Sequence, residues 1–126
     1  MIKDPKNVIY GFAVAILLTV SMHTSHAESR PETIRGYVLD SACAFTKNLQ
    51  KPISAECAVA CAKAGSPLVI LTANGTIYWP ISDATPAQGQ NERLLGFAGQ
   101  RIVVTGKVYQ RAGSRAVVIA TIRAEK

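Results

Sequence analysis

Residues 92–123 read ERLLGFAGQRIVVTGKVYQRAGSRAVVIATIR. From Arg101 to Arg111 the pattern has a period of two, with Ile102, Val104, Gly106 and Val108 on one side and Val103, Thr105, Lys107 and Tyr109 on the other. That period belongs to a strand with one buried face. Ala112-Gly113-Ser114 supplies a turn, and Arg115 to Arg123, with the run Ala116-Val117-Val118-Ile119-Ala120-Thr121-Ile122, returns as a second strand. Just upstream, Glu92 to Ala98 suits one or two helical turns that plug Leu94, Leu95 and Phe97 into a core, and Gly96 keeps them short.

Working outward from this closing hairpin, Pro67 to Leu71 (PLVIL) is a continuous apolar run, followed by Asn74-Gly75 and then Thr76 to Ile81 (TIYWPI). An Asn-Gly pair between two such runs predicts a hairpin with a primed turn, and Pro80 marks the end or edge of its second strand. Ser82 to Asn91 reads as a polar loop. Near the start, Ile34 to Asp40 (IRGYVLD) alternates enough to read as a strand. Five short strands in this length cannot bury a face as one flat sheet, but they can close into a small barrel. A short helix before the last hairpin fits an OB-like five-stranded barrel. The expected class is mainly β with short helices, with an extra helix between strands 1 and 2.

That extra helix is well punctuated. Ser54 suits its N-cap, Glu56 lies in the first turn, Lys63 in the last, and Gly65 stands just past the end. Alanines at 55, 58, 60, 62 and 64 favour it. Cys57, Ala60, Cys61 and Ala64 fall at i, i+3, i+4 and i+7, which puts both cysteines on the face expected to pack inward. Ser41 to Ile53, containing Pro52, reads as a loop with one irregular turn.

The chain starts with Lys3 and Lys6, an uncharged run from Asn7 to Ala27, and the ending Ser25-His26-Ala27. Basic start, short apolar centre and small residues before the cut make residues 1–27 a signal peptide. Its apolar centre, Val8 to Met22, falls short of the roughly 20 residues that span a bilayer. The alternative is an uncleaved anchor, with membrane association through residues 7–27. Residues 28–33 (ESRPET) then read as a linker, and residues 34–126 as the domain. Of 14 basic and 8 acidic side chains, the leader takes Lys3, Lys6 and Asp4, leaving a net charge of +5 against +6 for the whole chain. It also takes both histidines, His23 and His26. The exported chain then lacks the commonest general base and metal ligand.

Chemistry is concentrated in Asp40-Ser41-Ala42-Cys43 and Cys57-Ala58-Val59-Ala60-Cys61. Export to an oxidising compartment favours thiol pairing. Cys57 and Cys61 in one regular helix stand roughly 5–6 Å apart at Cβ, against about 3.8 Å for a disulfide, so Cys43 is expected to bridge one of them and leave the other. Such a bridge would contribute about 3 kcal/mol. The alternative is a Cys₃ site for a soft metal, Cu or Zn, with Asp40 as a possible extra ligand. The third is an odd cysteine reserved for a partner protein or attached group. Cys-x-x-Cys redox chemistry is disfavoured.

Asp40, Glu56, Asp83 and Glu92 are scattered, so no catalytic pair emerges and no enzyme is expected. Tyr37, Tyr78, Trp79 and Tyr109 all fall on predicted strands and form a possible binding surface. The dispersed basic residues of an exported protein argue against nucleic acid; acidic lipid, polysaccharide or an acidic protein face is the better use of the charge.

The segments Gly36 to Cys43 (GYVLDSAC), Cys57 to Gly65 (CAVACAKAG) and Ala98 to Gly106 (AGQRIVVTG) together resemble a group of small exported bacterial domains with a strand-Asp-Cys start, a Cys-x₃-Cys helix and an OB-like tail. The resemblance spans residues 34–123 and implies the fold and the periplasmic or otherwise exported location, with no activity attached. Members often carry Gly after the first cysteine and a nearby His, where this chain has Ala44 and no histidine in the domain. The resulting expectation is a non-catalytic binding or accessory subunit of a cell-envelope protein complex, held by a disulfide. The alternative is a soft-metal-binding protein.

Overall fold

The computed structural model describes residues 28–47 and 54–126. The expected leader, its anchor alternative and both histidines lie outside the described residues. Five strands close into a barrel in the order β1-β2-β3-β5-β4: β1 Glu28–Asp40, β2 Leu68–Leu71, β3 Ile77–Pro80, β4 Arg101–Arg111 and β5 Ser114–Ala124. All neighbours are antiparallel except β3 and β5, which run parallel. Among the described residues three short helices complete it: α1 Ser41–Thr46, α2 Ala55–Lys63 and α3 Asn91–Leu94, the last continuing as a 3-10 turn, Leu95–Phe97. The expected OB-like barrel, with a helix between strands 1 and 2, is what the chain forms.

Residues 28–33 correct one expectation. They are not a linker but the first half of β1, paired with β4 from Glu28↔Gln110 to Thr33↔Thr105. Pro31 reads as a breaker by itself, yet here β1 pairs with β4 alone, its register with β2 covering only Tyr37 to Asp40, and a one-sided strand tolerates a proline. The pairing partner, 11 residues of strand-forming β4, decides the matter.

Two apolar clusters share the sheet. Inside the barrel lie Ile34, Val38, Leu68, Ile70, Tyr78, Ile102, Val104, Val108, Val117 and Ile119, with Ala62 of α2 and Leu94 of α3. Leu95 and Phe97 pack against this cluster, as expected of a plug. Outside the barrel, Leu39, Ala44, Val69 and Leu71 form a second cluster with Cys43, Ile77 and Trp79 around it. β2 is thus buried on both faces, which explains why LVIL lacks alternation. The second cluster accounts for α1: a helix there covers apolar positions on the outer wall of the barrel. The sequence reading assigned Ser41 to Ile53 only a loop with one irregular turn, where Ser41–Thr46 forms a helix.

Barrel closure needs two close approaches. A Cβ on Gly36 would stand 2.5 Å from the Leu71 carbonyl oxygen and 2.9 Å from Ile70 Cγ2, and one on Gly106 would collide with the Val118 carbonyl. Gly106 sits at a register shift, since Thr105 pairs with Thr121 and Gly106 with Ile119, leaving Ala120 as the extra residue of β5. The β2–β3 hairpin forms as expected but with a different turn. Gly75 N–H donates to the Thr72 carbonyl at 3.0 Å, and only Gly75 of the Asn-Gly pair has positive φ, +86°. Thr72 and Asn74 side chains stabilise that conformation by hydrogen bonds to each other and to Thr76.

Candidate functional site

The site begins at the end of β1. Asp40 turns the chain from strand into α1 by capping it: Oδ2 accepts from Cys43 N–H at 3.1 Å. Ser54 does the same for α2, its Oγ accepting from Cys57 N–H at 3.2 Å. Cys43 and Cys57 therefore occupy the same position, the third residue after a cap, in two different helices. Cys61 lies one turn further along α2. At its far end α2 stops as predicted, with Gly65 at φ +101° and Ser66 N–H donating back to the Cys61 carbonyl.

The two helices bring all three Sγ atoms within 4.8 Å of one another. The expected bridge from Cys43 is not formed; all three are free thiols. A second correction concerns α2. Its inward residues are Ala58 and Ala62, whereas Cys57 is exposed and Cys61 half-buried. Small alanines let the helix seat closely on the barrel end, and this rotates the cysteine stripe sideways, toward α1 and Asp40.

Asp40 is the one buried charged residue of the described core, at 1% exposure. Its Oδ2 also accepts from Ser66 Oγ at 3.4 Å, and Ser66 Oγ lies 3.5 Å from Ser41 Oγ. Its Oδ1 is buried without a well-formed hydrogen bond, and no Lys, Arg or His pairs with the carboxylate among the described residues. Burial raises the Asp40 pKa, but hydrogen bonds from the Cys43 thiol and N–H, and from the Cys61 thiol, outweigh it and leave the carboxyl below its ordinary value.

The thiols feel the reverse. The hydrogen bond to Asp40, burial and the charge of Asp40, with Cys57 contributing, push Cys43 up to about 12. Burial first, then Asp40 and Cys57, raise Cys61 as well. Near neutral pH these two are thiols rather than thiolates. That disfavours nucleophilic or disulfide-exchange work, which needs the thiolate. A cation placed among the three sulfurs reverses the balance, because it stabilises thiolates and pairs with the buried carboxylate at once. Three thiolates about 2.3 Å from a tetrahedral ion stand roughly 3.8 Å apart, so closing the cluster onto one requires movements of about 1 Å at most. Asp40 lies next to two of the three sulfurs, but the ligand atoms that converge within 4.8 Å are those of Cys43, Cys57 and Cys61, without its carboxylate.

The four aromatic residues are not brought together. Tyr78 points into the barrel at 6% exposure, and Trp79 packs at the outer cluster with Leu39 and Val69. Tyr37 lies outside under the Arg101 guanidinium at 5.4 Å, and Tyr109, toward the other end of β4, under Lys107 at 5.9 Å. A continuous stacking surface is therefore absent among them. Sequence reasoning missed the capping role of Asp40, although the signal was there: Asp40-x-x-Cys43 and Ser54-x-x-Cys57 have the same cap spacing. No family model, curated protein or solved structure matches the chain. Its class rests on architecture: a small OB-like barrel with a thiol cluster on its outer wall.

Proposed function

We propose that this is an exported protein that binds a thiophilic metal ion, Cu(I) or Zn(II), through Cys43, Cys57 and Cys61. One observation carries the reading: three thiols from two separate helices converge within 4.8 Å beside a buried carboxylate that has no cationic partner among the described residues. Thiolate ligands suit soft ions, and Asp40 supplies a hard oxygen that favours Zn(II) when it joins them. Cys57 is the exposed member, so the ion enters and leaves on its side.

The test is a titration of the reduced, oxygen-free protein with Zn(II) and with Cu(I) held by a competing chelator. Expected are one ion per chain, thiolate-to-metal absorption in the ultraviolet for Cu(I), protection of all three cysteines from alkylation, and weaker binding in Cys57→Ser. Three thiols that stay open to alkylation with either metal present would overturn the reading.

A second reading is supported by Phe45, which is 71% exposed on α1, two residues from Cys43. In it the protein is an accessory subunit of a cell-envelope complex, Phe45 meets the partner, and Cys43 is bridged to one cysteine of α2. It predicts a single free thiol in the protein isolated without reductant, and co-purification with a larger complex that Phe45→Ser abolishes.

A further inference from the structure

At the opposite end of β2 from Asp40, a pocket of about 370 Å³ is lined by Arg35, Thr72, Ala73, Asn74, Thr76, Tyr78 and Arg115. We propose that it binds a small oxyanion, a phosphate or carboxylate group carried on a small solute. The volume falls within the range of small-molecule sites, which starts at about 300 Å³.

The pocket offers donors without acids. Arg115 lies over the Tyr78 ring at 5.9 Å, and its Nη1 donates to Tyr78 Oη at 3.2 Å. That contact fixes the guanidinium, yet no carboxylate pairs with Arg115 among the described residues. Since Tyr78 Oη accepts from Arg115, its own proton remains to be given to another acceptor. Tyr78 is nine-tenths buried, so the hydroxyl is part of a built wall and not a mobile surface group.

Facing it, Arg35 uses Nη1 on Glu125 at 2.7 Å, which leaves its other N–H groups. Glu125 also binds Arg101 at 2.7 Å, so one carboxylate serves two guanidiniums and positive charge is left over. The Thr72 hydroxyl and the Thr76 N–H both go to Asn74 Oδ1, so the amide oxygen is spent on the turn and the Nδ2 donors are not. Two guanidiniums, a phenol O–H and an amide, with no acidic lining residue, form a set that an oxyanion satisfies and a cation does not.

The test uses the secreted protein labelled with nitrogen-15, titrated with inorganic phosphate and in parallel with acetate at constant ionic strength. Expected are saturable shifts of the Thr72 to Tyr78 amides and of Arg115 Nε–H with at least one of the two anions. Saturation by phosphate alone assigns a phosphoryl group; saturation by both admits a carboxylate. Arg115→Gln should weaken binding by roughly tenfold or more, and Tyr78→Phe, which keeps the ring and the core, by roughly threefold to tenfold. Arg35→Gln tests the opposite wall should Arg115→Gln fail to fold. The proposal is overturned if neither anion saturates, if Arg111 and Arg123 shift equally, or if Tyr78→Phe and Arg35→Gln both bind like the parent protein.

Discussion

Replacing Asp40 with Asn isolates the electrostatics of the thiol cluster. Asn caps a helix about as well as Asp, so α1 keeps its start and the Cys43 N–H keeps its acceptor. The negative charge is removed, and one carboxylate oxygen becomes an amide nitrogen that no longer accepts from a thiol. Asp40 acts on Cys43 through both the hydrogen bond and the charge, which together with burial hold the thiol at about 12 against an ordinary 9.0. A charge at this range moves a pKa by roughly 1–3 units, so the Cys43 pKa should fall by that much in Asp40→Asn while burial keeps it above the ordinary value. At a pH below both values, each unit multiplies the thiolate fraction by about ten, and the less basic thiolate gives back roughly half of the logarithmic gain. The alkylation rate of Cys43 should rise by roughly 3- to 30-fold. Iodoacetamide kinetics at pH 7.5 to 8.5, in a Cys57→Ser, Cys61→Ser background where only Cys43 reacts, measure it directly. An unchanged or slower rate, with far-ultraviolet circular dichroism intact, would refute the placement of the carboxylate against the thiols.

Three other outcomes follow from the same structure. Gly36→Ala puts a methyl against the Leu71 carbonyl, where backbone cannot yield cheaply, and should cost about 1–3 kcal/mol or more in urea unfolding. Ser54→Ala removes the cap that carries Cys57 and should cost about 1 kcal/mol while also weakening metal binding. Glu125 is held below its ordinary pKa by hydrogen bonds from Arg101 and then Arg35. A depressed folded-state pKa stabilises above the unfolded value and is lost as pH falls through the folded one. Thermal melts of Glu125→Gln should therefore differ from the parent at pH 7 and converge with it as pH drops below the ordinary glutamate range.

What could be read in advance divides along physical lines. The β4–β5 hairpin, α2 with its Ser54 cap and Gly65 stop, the β2–β3 hairpin and the plug at Leu94 are all encoded locally, by period and punctuation. α1 is different, because its reason to exist is the outer cluster of Leu39, Val69 and Leu71, and those residues come from two strands that meet only in the fold. The first half of β1 is similar: residues 28–33 become strand because β4 is long enough to pair with them. The three site cysteines were visible as residues, but their convergence was not. It depends on the rotation of α2, which the helix period alone assigned to the wrong face because Ala58 and Ala62 offer as regular a stripe as Cys57 and Cys61.

That rotation also determines how the cluster behaves. Cys43 is bound to the barrel twice, through the Asp40 cap and through its contact with the outer apolar cluster, and it is half-buried. Cys61 is half-buried and faces the same carboxylate. Cys57 alone is exposed, on the first turn of α2, held by a single cap bond from its backbone N–H. An ion taken up here must meet Cys57 first and lose it first. Deleting Cys57 should therefore speed release and admit solvent while leaving a two-sulfur remnant, whereas deleting Cys43 also removes a piece of the packing that holds α1 on the barrel. Stopped-flow transfer of the ion to a chelator separates the two: Cys57→Ser should release fastest with an unchanged melting temperature, and Cys43→Ser should lower the melting temperature as well. Equal melting temperatures and equal release rates would mean that the three sulfurs are interchangeable, contrary to their unequal burial.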